Sequence, residues 1–251
     1  MLAVAGFSFF SYLGKRSVNP ITGETQHVSL SQEQEVAMGL HSAPEMAAQF
    51  GGVVRDERIQ RLVKGVGQKI VAQSVAASSG YPFVFHVLAD DKTVNAFALP
   101  GGQIFITVAL LSRLRSDDQL AGVLGHEVGH VLARHSAEHM AKQELTAGIT
   151  GAVVMGAGSY EMGRVAQMVG GLINMKYGRE DELESDRLGV CLMAQAGYAP
   201  SALIDVMKIL AEASGGARQP EFASSHPSPV NRVARIEAHL ADLEGACRFG
   251  E

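Results

Sequence analysis

The stretch Leu124-Gly125-His126-Glu127-Val128-Gly129-His130-Val131-Leu132 constrains this chain more than any other. A helix turns about 100° per residue, so His126 and His130 lie about 40° apart and one turn, roughly 6 Å, along the axis. Two ring nitrogens can therefore reach one ion. Glu127 lies about 60° round from His130 on the same side, too far round to be a third ligand yet well placed to touch a water at the site. This is the spacing of hydrolytic zinc sites. Such a site needs three protein ligands and leaves a fourth position to water, so the chain must supply another ligand from elsewhere.

The acid-rich stretch from Tyr177 to Gly189 is the candidate source. A run of charges is also what a solvated helix face looks like, and spacing separates the two readings. Glu182 and Asp186 are four residues apart and share a face. That lets Glu182 bind metal while Asp186 accepts the spare ring N–H of a ligand histidine. Glu184 has Leu188 as its i+4 neighbour, and Glu180 has Glu184, so neither offers the same pair.

His135 and His139 invite the same question. With the helix expected to continue through His139, they fall about 180° and about 220° round from His126, away from the ion. The metzincin pattern needs a third His six residues after His130, where Ser136 stands, and is excluded. The chain also has no Gly-x-Ser-x-Gly elbow, which argues against a serine hydrolase. A net charge of -5 and a pI near 6.0 leave no basic footprint for nucleic acid. Two cysteines are too few for a disulfide framework. Cys191 reads as a small core residue, and a Cys191–Cys247 bridge would require export.

Along the chain, residues 1–13 are almost wholly apolar but too short to span a bilayer, and read as the remnant of an export signal or anchor. Asn19 to Glu24 is a turn, and Ser31 with Gln34 has capping-box spacing for a helix running to about Phe50. Residues 56–74 form a second helix with Ile59, Leu62, Val63, Val66 and Ile70 as its core face. Residues 81–88 have strand composition, with His86 at a polar position. Asn95 to Leu99, a turn at Pro100-Gly101-Gly102, and Gln103 to Thr107 make a hairpin whose exposed edge could take a substrate as an added strand, held in part by Asn95 and Ala96. The Gly- and Met-rich runs in 145–175 are each too short to span a membrane. A Gly/Pro-rich loop then carries His226, and a closing helix spans 230–243.

The paired motifs His126-Glu127-x-x-His130 and Glu182-x-x-x-Asp186 resemble the gluzincin metallopeptidases that include the CAAX prenyl endopeptidases and the HtpX-type heat-shock proteases. Asn95-Ala96-Phe97-Ala98-Leu99-Pro100-Gly101-Gly102, Ala196-Gly197-Tyr198-Ala199-Pro200, and Ser225-His226-Pro227 followed by Arg232 add to the likeness. It runs from about Asn19 to Leu240 and is nearest the soluble bacterial-envelope branch. Many relatives carry Asp where this chain has Ala199, a change that touches no zinc chemistry.

The resemblance implies an α+β, mainly α-helical fold, a zincin-like core with a small antiparallel sheet whose edge strand flanks the motif helix. It implies a single metallopeptidase domain over 19–251 behind residues 1–18. One zinc ion would be held by His126, His130 and Glu182, with Glu127 as general base and Asp186 behind the ligands. His226 and Arg232 would be donors to the oxyanion, or His226 a swinging fourth ligand that holds the enzyme latent. The expected function is a zinc endopeptidase of the bacterial envelope or periplasm that cleaves unfolded envelope polypeptides, with membrane association through the N-terminal segment. The alternative is a chaperone-like client-binding module with a structural or latent zinc.

Overall fold

The structure is a computed structural model and describes residues 12–150, 176–214, 226 and 231–249. The expectations for the apolar start up to residue 11, for 151–175 and for the loop around His226 lie outside these residues.

Strands β1 (Arg16–Val18) and β2 (Thr25–His27) pair antiparallel across the Asn19 turn. Asn19 Oδ1 accepts from the N–H groups of Ile21 and Thr22, and its Nδ2 donates to Leu132 O at 2.8 Å. Gln26 Nε2 donates to Ala133 O. The hairpin thus satisfies carbonyls that the end of the motif helix leaves open.

Helix α1 (Gln32–Gln49) starts with the expected Ser31/Gln34 capping box. Helix α2 (Glu57–Ala72) is capped by Asp56 and buries Val63, Val66 and Ile70. Leu62, expected in the core, is 46% exposed. A 3-10 turn at Val75–Ser78 follows.

Strands β3 (Val84–Leu88), β4 (Ala96–Leu99) and β5 (Gln103–Thr107) form a sheet in the order β3-β5-β4. The expected small sheet is present, but it is mixed rather than antiparallel. β4 and β5 are joined by a tight turn with Gly101 and Gly102 at φ 77° and 98°, so they must run antiparallel. β3 pairs with the other side of β5 in parallel, Val84 opposite Gln103 and Leu88 opposite Thr107. β4 is an edge strand against the motif helix, as expected, but the edge is covered: Ala96 and Leu99 are buried and only Phe97 is partly exposed.

A short helix α3 (Val108–Leu111) leads to α4 (Asp117–Leu132), which carries the histidine motif behind a Ser116 cap. The helix does not continue through His139. Arg134, at φ 58°, breaks it, and α5 (His135–Thr150) starts afresh. That left-handed arginine is held by Glu35, whose Oε1 accepts from its Nε and Nη2, and by Leu30 O at 2.7 Å from Nη2. Beyond it come α6 (Arg179–Gln195), α7 (Ala202–Ser214), α8 (Arg232–Ala241) and α9 (Leu243–Ala246).

Helices α4 and α6 cross at glycines. A Cβ on Gly129 would lie 3.1 Å from Ser185 O, and one on Gly189 would lie 3.2 Å from His126 N. Only bare glycines let the two backbones approach this closely, and that approach brings the acids of α6 to the histidines of α4. The core wraps α4, with Leu120, Leu124 and Val128 packed among Ile70, Phe85, Ile104, Ile106, Leu192, Leu203 and Ile236. Each fully buried Leu, Ile or Phe contributes about 1.5–3 kcal/mol. Phe105 faces the other side of β5, toward Met46 of α1.

Cys191 and Cys247 are bridged. This corrects the reading of Cys191 as a plain core thiol. Cys191 is indeed buried, but the closing helices bring Cys247, at the end of α9, against α6.

Candidate metal centre

α4 presents His126, Glu127 and His130 on one side, all buried. α6 presents Glu182 and Asp186, four residues apart on the face turned to α4, both fully buried. His226 joins them from ahead of α8, and Arg232 from the first turn of α8.

His126, His130, Glu182 and His226 offer ligand atoms that all lie within 4.8 Å of one another. His126 Nε2 and His130 Nε2 are 3.1 Å apart, His126 Nε2 and Glu182 Oε2 3.5 Å, and His130 Nε2 and Glu182 Oε1 3.4 Å. His226 Nδ1 is 3.5 Å from His126 Nε2 and 2.8 Å from Glu182 Oε1. A tetrahedron with bonds of about 2.0–2.1 Å has edges of about 3.3 Å, so the four groups could occupy its corners.

The hydrogen bonding fits a cation as well. His126 Nδ1 lies 3.0 Å from Asp186 Oδ1, and His130 Nδ1 lies 2.9 Å from His135 Nδ1. With both Nδ1 protons directed there, the two Nε2 lone pairs point at each other, an arrangement that a shared positive ion makes favourable.

Asp186 is clamped by Arg232, Nε to Oδ2 at 2.7 Å and Nη2 to Oδ1 at 2.6 Å, while Arg232 Nη1 lies 2.8 Å from Glu182 Oε2. Burial would raise the Asp186 carboxyl, but the Arg232 charge outweighs it and keeps it below the usual range. Burial is likewise outweighed at Glu182, where the surrounding imidazoles hold the carboxyl well down. At His126, burial loses to Asp186 and Glu182, which lift the ring to about 9, whereas burial carries His130 well below its ordinary value.

Glu127 differs from the other acids. Its carboxylate is fully buried, and neither oxygen has a hydrogen-bond partner among the described residues. Burial raises its pKa against the pull of His226 and His126, and His226 Nε2 lies 3.7 Å from Oε1. A buried acid with no hydrogen-bond partner among the described residues, beside a cluster of ligand atoms, can take a proton from a water held there.

The structure therefore brings together His126, Glu127, His130, Glu182, Asp186, His226 and Arg232. Ala96 opens β4, which packs against the motif helix, and Asn95 directly precedes it. Thr107 N donates to Asn95 O, so Asn95 faces β5 and the alternation turns the N–H and C=O of Ala96 away from β5, toward the covered outer edge of β4. Two neighbours of the cluster escaped the sequence reading. His135 touches His130, and the Tyr177 ring stacks on His130 with centroids 4.0 Å apart. The i, i+5 pairing of His130 and His135 carries no helical signal, and Tyr177 is visible only as the residue ahead of the acid run.

Comparison with known proteins agrees with this geometry. The mitochondrial metalloendopeptidase OMA1 of Schizosaccharomyces pombe is 30% identical over 251 residues, covering 97% of this chain and 71% of that protein. The beta-barrel assembly-enhancing protease of Yersinia pestis is 30% identical over 242 residues, covering 92% of this chain and 49% of its own length. Its counterpart in Escherichia coli K12 is 28% identical over 226 residues, 86% of this chain and 45% of that protein, so the chain spans about half of these two bacterial relatives. Residues 54–240 match Peptidase family M48, and with the motif helix and its acid partners inside that span, the chain belongs to this family of peptidases.

Proposed function

We propose that this chain is a zinc-dependent endopeptidase in which His126, His130 and Glu182 hold the ion and Glu127 is the general base. One observation carries the reading: ligand atoms from two helices converge at tetrahedral spacing beside a buried carboxylate that has no hydrogen-bond partner among the described residues. Two imidazoles and a carboxylate are a donor set used by catalytic zinc. A bound zinc ion supplies Lewis acidity, lowering the pKa of water toward about 7 and polarising the scissile carbonyl.

The chain's own residues do the rest. Glu127, poised by burial, takes the proton of the attacking water and hands it to the leaving amine. Asp186 holds His126 with its Nδ1 proton outward from the ion. Arg232, with Nε, Nη1 and Nη2 all turned to carboxylates, is better suited to fixing Asp186 and Glu182 than to the oxyanion role read from the sequence. Ala96 offers backbone groups for an extended polypeptide, which the burial of β4 makes accessible only after movement.

His226 favours a second, regulatory reading of the same site. With its Nδ1 at the fourth corner, protein groups alone would complete the tetrahedron and leave no position for water, the arrangement of a latent enzyme. The client-binding alternative would use the same closed arrangement, but it gives Glu127 no task.

The substrate class is polypeptide. Unfolded proteins of the bacterial envelope are the proposed clients, and the name of the Yersinia and Escherichia relatives supports that choice. The Cys191–Cys247 bridge supports an exported, oxidising location such as the periplasm. The OMA1 relative is named as mitochondrial, so location does not follow from family. Among the described residues, no helix is long and apolar enough to cross a membrane, and the proposed membrane contact rests on residues 1–18 preceding a single domain over 19–251.

Elemental analysis of purified protein, alongside casein digestion with and without chelator, tests the proposal. About one zinc per chain and chelator-sensitive cleavage are expected. Chelator-resistant cleavage, or no bound metal, would overturn it.

A further inference from the structure

We infer that His135, backed by Glu184, is the positioning residue that fixes His130 as a metal ligand. The inference rests on the metal site proposed above and extends it to a hydrogen-bond chain behind the second histidine.

With a cation held in the site, the order of protons along that chain is fixed. His130 Nε2 faces His126 Nε2 at 3.1 Å and Glu182 Oε1 at 3.4 Å, so it offers its lone pair toward the ion and its proton sits on Nδ1. That Nδ1 lies 2.9 Å from His135 Nδ1. Two ring nitrogens at this distance hold one proton between them, so His135 Nδ1 must accept. The proton of His135 is then on Nε2, which donates to Glu184 Oε2 at 3.1 Å. Ser185 Oγ, 3.4 Å from His135 Nδ1, is the longer and weaker contact, and Asp181 Oδ1, 3.9 Å from Nε2, is beyond hydrogen-bond reach.

The two histidine ligands are thus oriented by different means. His126 leans directly on the carboxylate of Asp186, whereas His130 leans on a neutral ring with a carboxylate one ring further out. A carboxylate placed directly behind His130 would be another buried charge beside Glu127, Glu182 and Asp186 and would need its own counter-ion. The Glu184 side chain instead keeps 20% of its surface exposed and lines a cleft of about 710 Å³ shared with Lys142, Arg187 and Arg235. Negative charge there is cheaper to keep, and it still sets the tautomer of His135.

Local backbone geometry makes the contact. The left-handed Arg134 ends α4 and starts α5 at His135, which turns that ring back under His130 instead of across the helix. Tyr177, stacked on His130 and hydrogen-bonded through its hydroxyl to Ser136 Oγ at 3.0 Å, fixes the plane of the ring while His135 fixes its rotation.

The test measures zinc affinity of the metal-free full chain by competition with a chromogenic chelator, with thermal melting of the metal-free form as a control for folding. His135→Phe keeps a ring but removes the acceptor and should weaken zinc about 10–100-fold. His135→Asn puts an amide oxygen near the position of Nδ1 and should recover most of that loss. Glu184→Ala, at the rim, should weaken zinc a few-fold with melting unchanged. Zinc affinity within about twofold of wild type in H135F, or an H135N as weak as H135F, would overturn the inference while leaving the metal site intact. Should H135F fail to fold, unchanged affinity in E184A overturns it. A wild-type chain that binds no zinc would sink the metal site itself and this inference with it.

Discussion

Arg232 grips both oxygens of Asp186, at 2.7 and 2.6 Å, from a helix that starts 46 residues further along the chain. The same guanidinium reaches Glu182. One buried cation thus compensates two buried carboxylates of the candidate site, and α8 is tied to that site through it.

Replacing that cation should be costly. Arg232→Met leaves Asp186 and Glu182 buried without their partner, and breaking such a network typically destabilises by about 3–5 kcal/mol. Arg232→Lys should recover only part, because an ammonium cannot reproduce the planar fork. Thermal unfolding of the metal-free and zinc-loaded forms checks this. Bound zinc should narrow the deficit by compensating Glu182, and an Arg232→Met melting like wild type would refute it.

Glu127→Gln should separate chemistry from metal binding. The amide cannot accept a proton, so cleavage should fall by about 10²–10⁴-fold while zinc content stays at wild-type level. The substitution also removes a buried charge that has no hydrogen-bond partner among the described residues, so the melting temperature should not drop. Loss of zinc together with cleavage would point to a ligand role instead.

His226→Ala should raise basal proteolysis several-fold. Removing the ring opens the fourth corner near Glu182 and also clears the space beside Glu127, 3.7 Å from Nε2. Casein digestion at equal zinc occupancy measures the change. A fall in rate would favour the oxyanion-donor role over the latch.

Gly129→Val should damage the site without touching a ligand. The added Cβ meets Ser185 O at 3.1 Å and Leu188 Cβ at 3.2 Å, and the branches need more room still. Forcing α4 and α6 apart should cost about 1–3 kcal/mol and weaken zinc binding, since the histidines and Glu182 sit on opposite sides of that crossing. Equal zinc affinity in this variant would show that the crossing distance does not set the ligand geometry.

These contacts explain which parts of the molecule were legible in its sequence. His126, His130, Glu182 and Asp186 could be paired because each pair is one helical turn apart, a local rule that holds wherever the helix is intact. The same rule misplaces His135, because it takes α4 to run on, and it passes over Glu184, whose i+4 neighbour is Leu188. The Arg134 side chain is held by Glu35 and Leu30, some hundred positions away, and no residue near it announces a break. The resemblance links Arg232 to the site, but its carboxylate partners lie on another helix, where no local spacing reveals them. The parallel pairing of β3 and the Cys191–Cys247 bridge depend on how distant segments meet, which neither periodicity nor turn chemistry encodes.

His86 provides a pH test on the face of the sheet turned away from the motif helix. Its Nε2 is 2.9 Å from Gln103 Oε1, and its ring stacks on Phe105 with centroids 4.7 Å apart. Burial lowers its pKa below 6.5, against the Gln103 hydrogen bond and with help from Lys64. The folded chain therefore prefers the neutral ring. As pH falls below 6.5 the unfolded chain takes up this proton first, so stability present above that value is lost until the folded ring also protonates. His86→Phe keeps the stacking and abolishes the titration. Melting of metal-free protein at about pH 7.5 and about pH 5.5 should then show a smaller acid loss in His86→Phe than in wild type. Equal losses in the two proteins would mean that His86 titrates alike folded and unfolded.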